Sequence, residues 1–257
     1  MSADHSNKNL GGRVALAYSW LPGGMENVLD VGCAWGDGVF SLSRKSAHAY
    51  GIDTNADYIK KATKRFPQFS FLVSAIESTP FENQFFDAIA MNDVLEHARD
   101  ELKSLNEVHR ILKPGGICVI TVPHKGWFAF LDPANYKFYL MKRFPALFSK
   151  IYDYVIKNNP DFKNKVAEGF HRHYLLAGLR KLLNSSDFNG HFKVERVFKS
   201  GLVLGVLNNN LRASLRRVVG VRAARALLFP LAWLAGVEYW IPFGPLSYNI
   251  AVAIRKQ

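Results

Sequence analysis

From residue 27 to residue 122 the chain switches repeatedly between two patterns of apolar and polar positions. Short apolar runs read as strands at 27–31, 47–52, 69–74, 86–92 and 117–122. Between them, apolar residues recur at helical spacing over 37–46, 56–66 and 100–112, and a leading helix is expected over 8–20. Pro67 stops the second of these helices. In the third, Leu102, Leu105, Val108, Ile111 and Leu112 share a face, and Lys113-Pro114-Gly115-Gly116 supplies the stop signal. Further on, helices are expected around 135–157 and at 174–183, and strands at 192–198 and 248–254.

Strands alternating with helices predict an α/β domain with a mostly parallel sheet, covered on both faces. Ligands of such sheets bind beyond the carboxyl ends of the strands, where the strand order reverses. Asp30, Asp53 and Asn92 all fall at strand ends of this kind. The expected organisation is one domain, 1–257. It has a core at 22–123, a helical insertion at 124–170 and a second, apolar and basic insertion at 200–246.

Charge changes the picture in the second insertion. The formal net charge is +12, which calls for an anionic partner. From Arg196 to Val237 there is no Asp or Glu, while Arg196, Lys199, Arg212, Arg216, Arg217, Arg222 and Arg225 lie there among the most apolar residues of the chain. The apolar run 226–237 falls short of the ~20 residues a transmembrane helix needs. With Trp233, Tyr239 and Trp240 beside arginines, an interfacial element at an anionic membrane surface is one reading, and a helical cap over the pocket or a dimer face is the other. The arginines do not form one clean helical stripe. Nucleic acid is disfavoured, because the basic residues mix with bulky aliphatics and no binding module is evident.

Two cysteines, Cys33 and Cys118, are too few for a disulfide framework and lack metal-ligand spacing. No metal is expected. A polar N-terminus without a signal-peptide pattern fits a cytoplasmic setting, with peripheral membrane contact. Oligomeric state is not legible.

The candidate chemistry begins at "VLDVGCAWGDG", residues 28–38, where a strand ends in an acid and small residues follow. Such a turn lets a ligand approach the main chain and places a helix N-terminus behind it. Asp53 follows one β-α-β step later, where a carboxylate can accept hydrogen bonds from two ribose hydroxyls. A plain structural reading makes the glycines turn residues and Asp53 a helix cap. The dinucleotide fingerprint G-x-G-x-x-G, laid on Gly32, puts Asp37 where a pyrophosphate would rest, which disfavours a nicotinamide-dependent reductase.

Five pieces in order, "VLDVGCAWGDG", "GIDTNADYI", "STPFENQFFDAI", "NDVLEH" and "RILKPGG", make residues 27–122 resemble class I S-adenosylmethionine-dependent methyltransferases. Within that class they look most like the branch containing ubiquinone-biosynthesis O-methyltransferases. The resemblance implies a Rossmann-like seven-stranded sheet, with insertions after strand 5 and between strands 6 and 7. It also implies S-adenosylmethionine as cofactor. Gly32, Cys33, Ala34 and Gly36 would line its methionine part, with Asp30 beneath the amino group. Asp53 and Thr54 would meet the ribose, Ala75 and Ile76 the adenine, and Asn92 would border the methyl-transfer position. Two positions depart from the family: Ala34 stands where glycine is usual, and Ala75 near where an aspartate often receives the adenine amino group. Glu77 or main-chain atoms would take its place. The implied acceptor is a small or lipid-linked molecule, methylated on a hydroxyl oxygen; the alternative is a non-catalytic partner subunit with the same fold.

Methyl transfer is mostly positioning, but a hydroxyl acceptor benefits from a general base near neutral pH, usually histidine. His97 and His124, each following a strand, are the candidates; His97 alternatively caps the next helix. His171 and His173 have no obvious third partner for a metal and are read as lining the acceptor site or starting the helix at Tyr174.

Overall fold

The computed structural model describes residues 12–127, 129, 143–144, 172–202 and 204–257. Among these, seven strands build one sheet: β1 (Met25–Val31), β2 (Ser46–Asp53), β3 (Ser70–Val73), β4 (Phe86–Asn92), β5 (Leu112–Pro123), β6 (Phe192–Ser200) and β7 (Asn249–Lys256). Their order is β3-β2-β1-β4-β5-β7-β6. β7 runs antiparallel to both β5 and β6, and the other pairings are parallel. This is the Rossmann-like seven-stranded sheet expected. The helices are α1 (Gly12–Ser19), α2 (Asp37–Leu42), α3 (Ala56–Arg65), α4 (Glu101–Ile111), α5 (Leu176–Asn184), α6 (Leu204–Leu227) and α7 (Phe229–Glu238).

The strands are apolar on both faces because both are covered. In β4, Ile89 and Met91 belong to a core shared with Leu105 and Val108 of α4 and Leu179 and Leu183 of α5. The alternate residues Ala88 and Ala90 face the other side, in a core with Ala17 and Tyr18 of α1 and Val39 and Leu42 of α2. Small side chains on that face let α1 pack close over β4, β5 and β7.

Several boundaries move. The helix expected to run through 112 ends at Ile111, and Leu112 is already extended. Lys113 precedes Pro114, which disfavours helical backbone, so 112–116 join β5 instead. α2 stops at Leu42 rather than 46, because Ser46 pairs with Met25 at the start of β2. α5 begins at Leu176, not Tyr174, since Tyr174 forms a bridge with His124 that extends the edge of β5. Most of the 124–170 segment, with the helices expected around 135–157, lies outside the described residues, as do His171 and the first residues of the leading helix.

The strand order reverses between β1 and β4, so the crevice beyond their carboxyl ends is the expected ligand position. β6 is parallel to β5, because both oppose β7. The α6–α7 pair therefore leaves the sheet at this same rim and returns to it.

Candidate functional site

The turn after β1 is pinned to β2: the Gly32 and Cys33 amides both donate to the Ile52 carbonyl, at 2.8 and 3.0 Å. Gly32 has φ +72°, and a Cβ there would lie 2.6 Å from Val94 Cγ2. Gly38, in the first turn of α2, is tighter still: a Cβ would sit 2.2 Å from Asp30 Oδ2 and 2.3 Å from the Tyr18 hydroxyl. The small residues thus keep the main chain against an acid below and open to a ligand above. Ala34, the departure from glycine, adopts φ +45°, a left-handed conformation that L side chains disfavour.

Asp30 is 4% exposed. The Tyr18 hydroxyl donates to its Oδ1 at 2.6 Å. Burial lifts the Asp30 carboxyl from 3.8 to about 7; Tyr18 opposes the rise and the Asp53 charge adds to it. Burial and the Asp30 charge push the Tyr18 phenol well up. Cys33 is an inert thiol, held up first by burial and then by the charges of Asp30 and Asp53. Asn92 accepts from Thr121 Oγ1 at 3.2 Å at the end of β4.

Asp53 is not a helix cap. Asn55 caps α3, its side chain accepting from the Asp57 and Tyr58 amides. Asp53 braces the glycine-rich turn, with Oδ2 accepting from the Ala34 amide at 3.0 Å and Oδ1 from the Asn55 amide at 2.8 Å. Each carboxylate oxygen keeps a second lone pair for a hydroxyl. His97 is not the cap of α4 either; Asp100 is, accepting from the Lys103 amide.

A cleft of about 790 Å³ opens at this rim. Gly32, Asp53, Thr54, Ala75, Ile76 and His97 line it, together with Glu77, Asp93, Val94 and Arg99. Asp30, Cys33, Ala34, Gly36 and Asn92 are not on its wall. Glu77 reaches the cleft beside Ala75, with Oε1 accepting from the Arg99 amide at 2.8 Å. His124 is also absent from the wall and is 1% exposed. Its Nδ1 lies 3.1 Å from the Ser247 carbonyl and 2.9 Å from the Ser247 hydroxyl. Nε2 is buried with no hydrogen-bond partner among the described residues. Burial holds His124 below its ordinary pKa; the Ser247 bond opposes this, and the charges of Lys199 and His173 add to it. His173 packs edge-on against Tyr248.

Two contributors were not visible in the motifs. Tyr18 arrives from α1, ahead of the glycine-rich turn. Arg172 and Tyr174 return from beyond the first insertion and clamp the His97 segment. Arg172 Nη1 donates to the Ala98 carbonyl at 2.8 Å, and the Tyr174 hydroxyl bonds Leu95 O and Glu101 Oε1. A tyrosine in an apolar helix ahead of the turn is the one available sign of the first; nothing local marks the second.

Asp37, suspected of repelling a pyrophosphate, holds the start of α2 in a two-point ion pair with Arg65, at 2.7 and 2.9 Å. Residues 29–120 match the family described as a methyltransferase domain. Over this stretch the chain is similar to class I S-adenosylmethionine-dependent methyltransferases. Among curated relatives of this chain, a demethylmenaquinone methyltransferase of Chlorobaculum tepidum is 28% identical over 167 residues, 60% of this chain and 65% of the relative. A ubiquinone/menaquinone biosynthesis C-methyltransferase of Bartonella quintana is 28% identical over 188 residues, 66% of this chain and 65% of the relative. The match thus spans just under two thirds of each of these relatives. Among solved structures, the (4+2)-cyclase SpnF superposes with TM-score 0.57 at 17% identity, over 95% of this chain and 80% of the cyclase. That likeness is one of fold.

Proposed function

We propose that the cleft binds S-adenosylmethionine and that the chain transfers its methyl group to a small or lipid-linked acceptor, at a hydroxyl oxygen. One observation carries this reading. Gly32 at the start of the glycine-rich turn, Asp53 and His97 line one cleft, inside the stretch that matches the methyltransferase family. Its volume of about 790 Å³ falls within the usual range for a cofactor-sized ligand. The residues fit the group: the backbone at Gly32 has no room for a side chain, and Asp30 is a buried acid that gains from a cation above it.

In this reading Gly32, Cys33, Ala34 and Gly36 shape the seat of the methionine end, and Asp30 acts on its ammonium from beneath. Asp53 accepts the ribose hydroxyls, with Thr54 beside them. Ala75 and Ile76 flank the adenine, and Glu77 offers its carboxylate in place of the missing aspartate. Asn92 borders the transfer position. Once bound, the cofactor supplies a methyl group already activated by a sulfonium leaving group. The protein's remaining tasks are alignment, exclusion of water and removal of one acceptor proton. His97, on the cleft wall, is the base we assign. His124, whose Nε2 has no partner among the described residues but which lies outside the wall, is the second candidate.

The named relatives favour a second reading of the acceptor atom, since one is a C-methyltransferase and both act in quinone chemistry by name. Deprotonating a phenol raises electron density on its oxygen and, by resonance, on the neighbouring ring carbons. The same base therefore serves either outcome, and mass spectrometry of the product separates them. A non-catalytic partner subunit remains the rival, favoured by Ala34 and Ala75. We place the chain in the cytoplasm with access to an anionic membrane surface.

Calorimetric titration with S-adenosylmethionine, S-adenosylhomocysteine and NADH tests the site. Micromolar binding of the first two is expected. Asp53→Ala should weaken it ~10–100-fold, from the loss of charge-assisted hydrogen bonds. Binding of NADH alone, or of none of the three, overturns the reading.

A further inference from the structure

The α6–α7 hairpin is built inside out. α7 hides small residues and an acid, Ala235 and Glu238, and shows its large apolar ones. Phe229 and Trp233 are 65% and 62% exposed, one turn apart, and Val237 and Trp240 continue the same face. In the second part of α6, beyond the break at Gly220, Val221, Arg222 and Arg225 fall at i, i+1 and i+4 and are all exposed; Val218, 82% exposed, lies just before the break. Beyond the break the two arginines do share one exposed face, and they share it with Val221. The break explains why no single stripe is legible in the sequence: residues before and after Gly220, whose φ/ψ are 81° and 167°, lie on different axes.

No single described helix is long and apolar enough to cross a membrane. The pair Val218–Leu227 and Phe229–Glu238 reaches that apolarity together but is bent by 57°. Both ends are held in the sheet, by β6 and β7. The base is fixed too: Glu238 accepts from the Leu202 and Leu204 amides. The Tyr239 side chain lies so close to Gly12, Gly201 and Gly205 that a Cβ on any of them would come within 2.5–2.9 Å of its ring or hydroxyl. A rigid base under a bare apolar tip suits an element that lies in an interface rather than one that crosses it. At the return to the sheet, the Trp127 amide donates to the Pro245 carbonyl, which sets another exposed tryptophan on this rim.

We propose that the α6–α7 hairpin docks on an anionic phospholipid surface. Phe229, Trp233 and Trp240 enter at headgroup depth, and Arg222 and Arg225 pair with lipid phosphates and acidic headgroups. Charge complementarity selects this occupant. The stretch from Arg196 to Val237 carries seven basic residues and no acid, and the one acid of the hairpin, Glu238, is buried at its base. Bulky apolar residues interleaved with arginines and tryptophans fit a bilayer interface. The inference extends the lipid-linked-acceptor reading by naming the surface that delivers the acceptor. It rests on helices outside the cleft, so the two can fail separately.

Flotation of the full chain with phosphatidylcholine vesicles, with and without about a third phosphatidylglycerol, tests it at low and high salt. Binding is expected to the anionic vesicles, weakened by salt. Arg222→Glu with Arg225→Glu should lower the partition at least ~10-fold, following the per-charge contribution near an anionic surface. Trp233→Glu should abolish it, and the Trp233 fluorescence of the parent protein should be quenched by brominated lipid. All three side chains are exposed, so these variants should bind S-adenosylmethionine as the parent does; that titration reports folding and the cleft independently. Absence of binding to anionic vesicles overturns the proposal. So does a concentration-dependent dimer that Trp233→Glu dissolves without lipid, which would make a second copy the occupant.

Discussion

The cleft and the hairpin each bury one acid, and to the same degree: Asp30 and Glu238 are both 4% exposed. Their surroundings differ. Glu238 receives the Leu202 and Leu204 backbone amides, and these oppose the rise in its pKa that burial causes. Asp30 meets one phenol and the negative charge of Asp53, and is lifted to about 7. An acid saturated by chain donors is a fastening. An acid left short of donors beside another acid is a site waiting for positive charge.

The sharpest way to break this comparison is by pH. Because the folded-state pKa of Asp30 lies above its ordinary 3.8, the native chain holds a proton that the unfolded chain has lost. Its contribution to stability is therefore intact below pH 4 and falls as pH rises to about 7, by on the order of 4 kcal/mol. Asp30→Asn should remove this tilt in denaturant titrations at pH 4 and pH 8. A bound ammonium lowers the same pKa, so cofactor affinity should rise through pH 7 with proton release, seen as a buffer-dependent calorimetric heat that Asp30→Asn lacks. Glu238→Gln should cost about 1–3 kcal/mol, through a lost amide partner, and leave cofactor affinity unchanged.

His97→Gln tests the cleft side further: kcat should fall ~100-fold or more with cofactor binding preserved. His124→Gln should act mainly on stability, since its Nδ1 ties β5 to the Ser247 loop. Glycines then separate the regions by packing. Gly38→Ala, with its Cβ against Asp30 and Tyr18, should destabilise by about 3 kcal/mol, the upper end of overpacking. Gly236→Ala in α7 meets nothing within 4 Å and should stabilise by ~0.5–1 kcal/mol. Thermal melts of the pair suffice.

The cofactor half was readable because its signals are local. A strand ends in Asp30, a turn needs glycine, and a second acid comes one β-α-β unit later. What escaped depends on distant pairing. β5 begins at Leu112 because that residue pairs with Phe86, which no helix stop signal conveys. His124 looks like a cleft residue from its place after β5, yet a loop more than a hundred residues on covers it. The exposed face of the hairpin was blurred by averaging across Gly220, where one helical phase becomes two. Tyr18 was missed because nothing around it predicts a partner in the next strand.

α1 joins the two halves. Its first residue, Gly12, lies against the Tyr239 ring at the foot of the hairpin, and near its other end Tyr18 holds Asp30. An eight-residue helix is a stiff rod of ~12 Å, so a tilt at one contact is felt at the other. It acts as a yoke. By thermodynamic reciprocity, whatever free energy the seating of the hairpin lends to cation binding above Asp30, cation binding returns in equal measure to the seating of the hairpin.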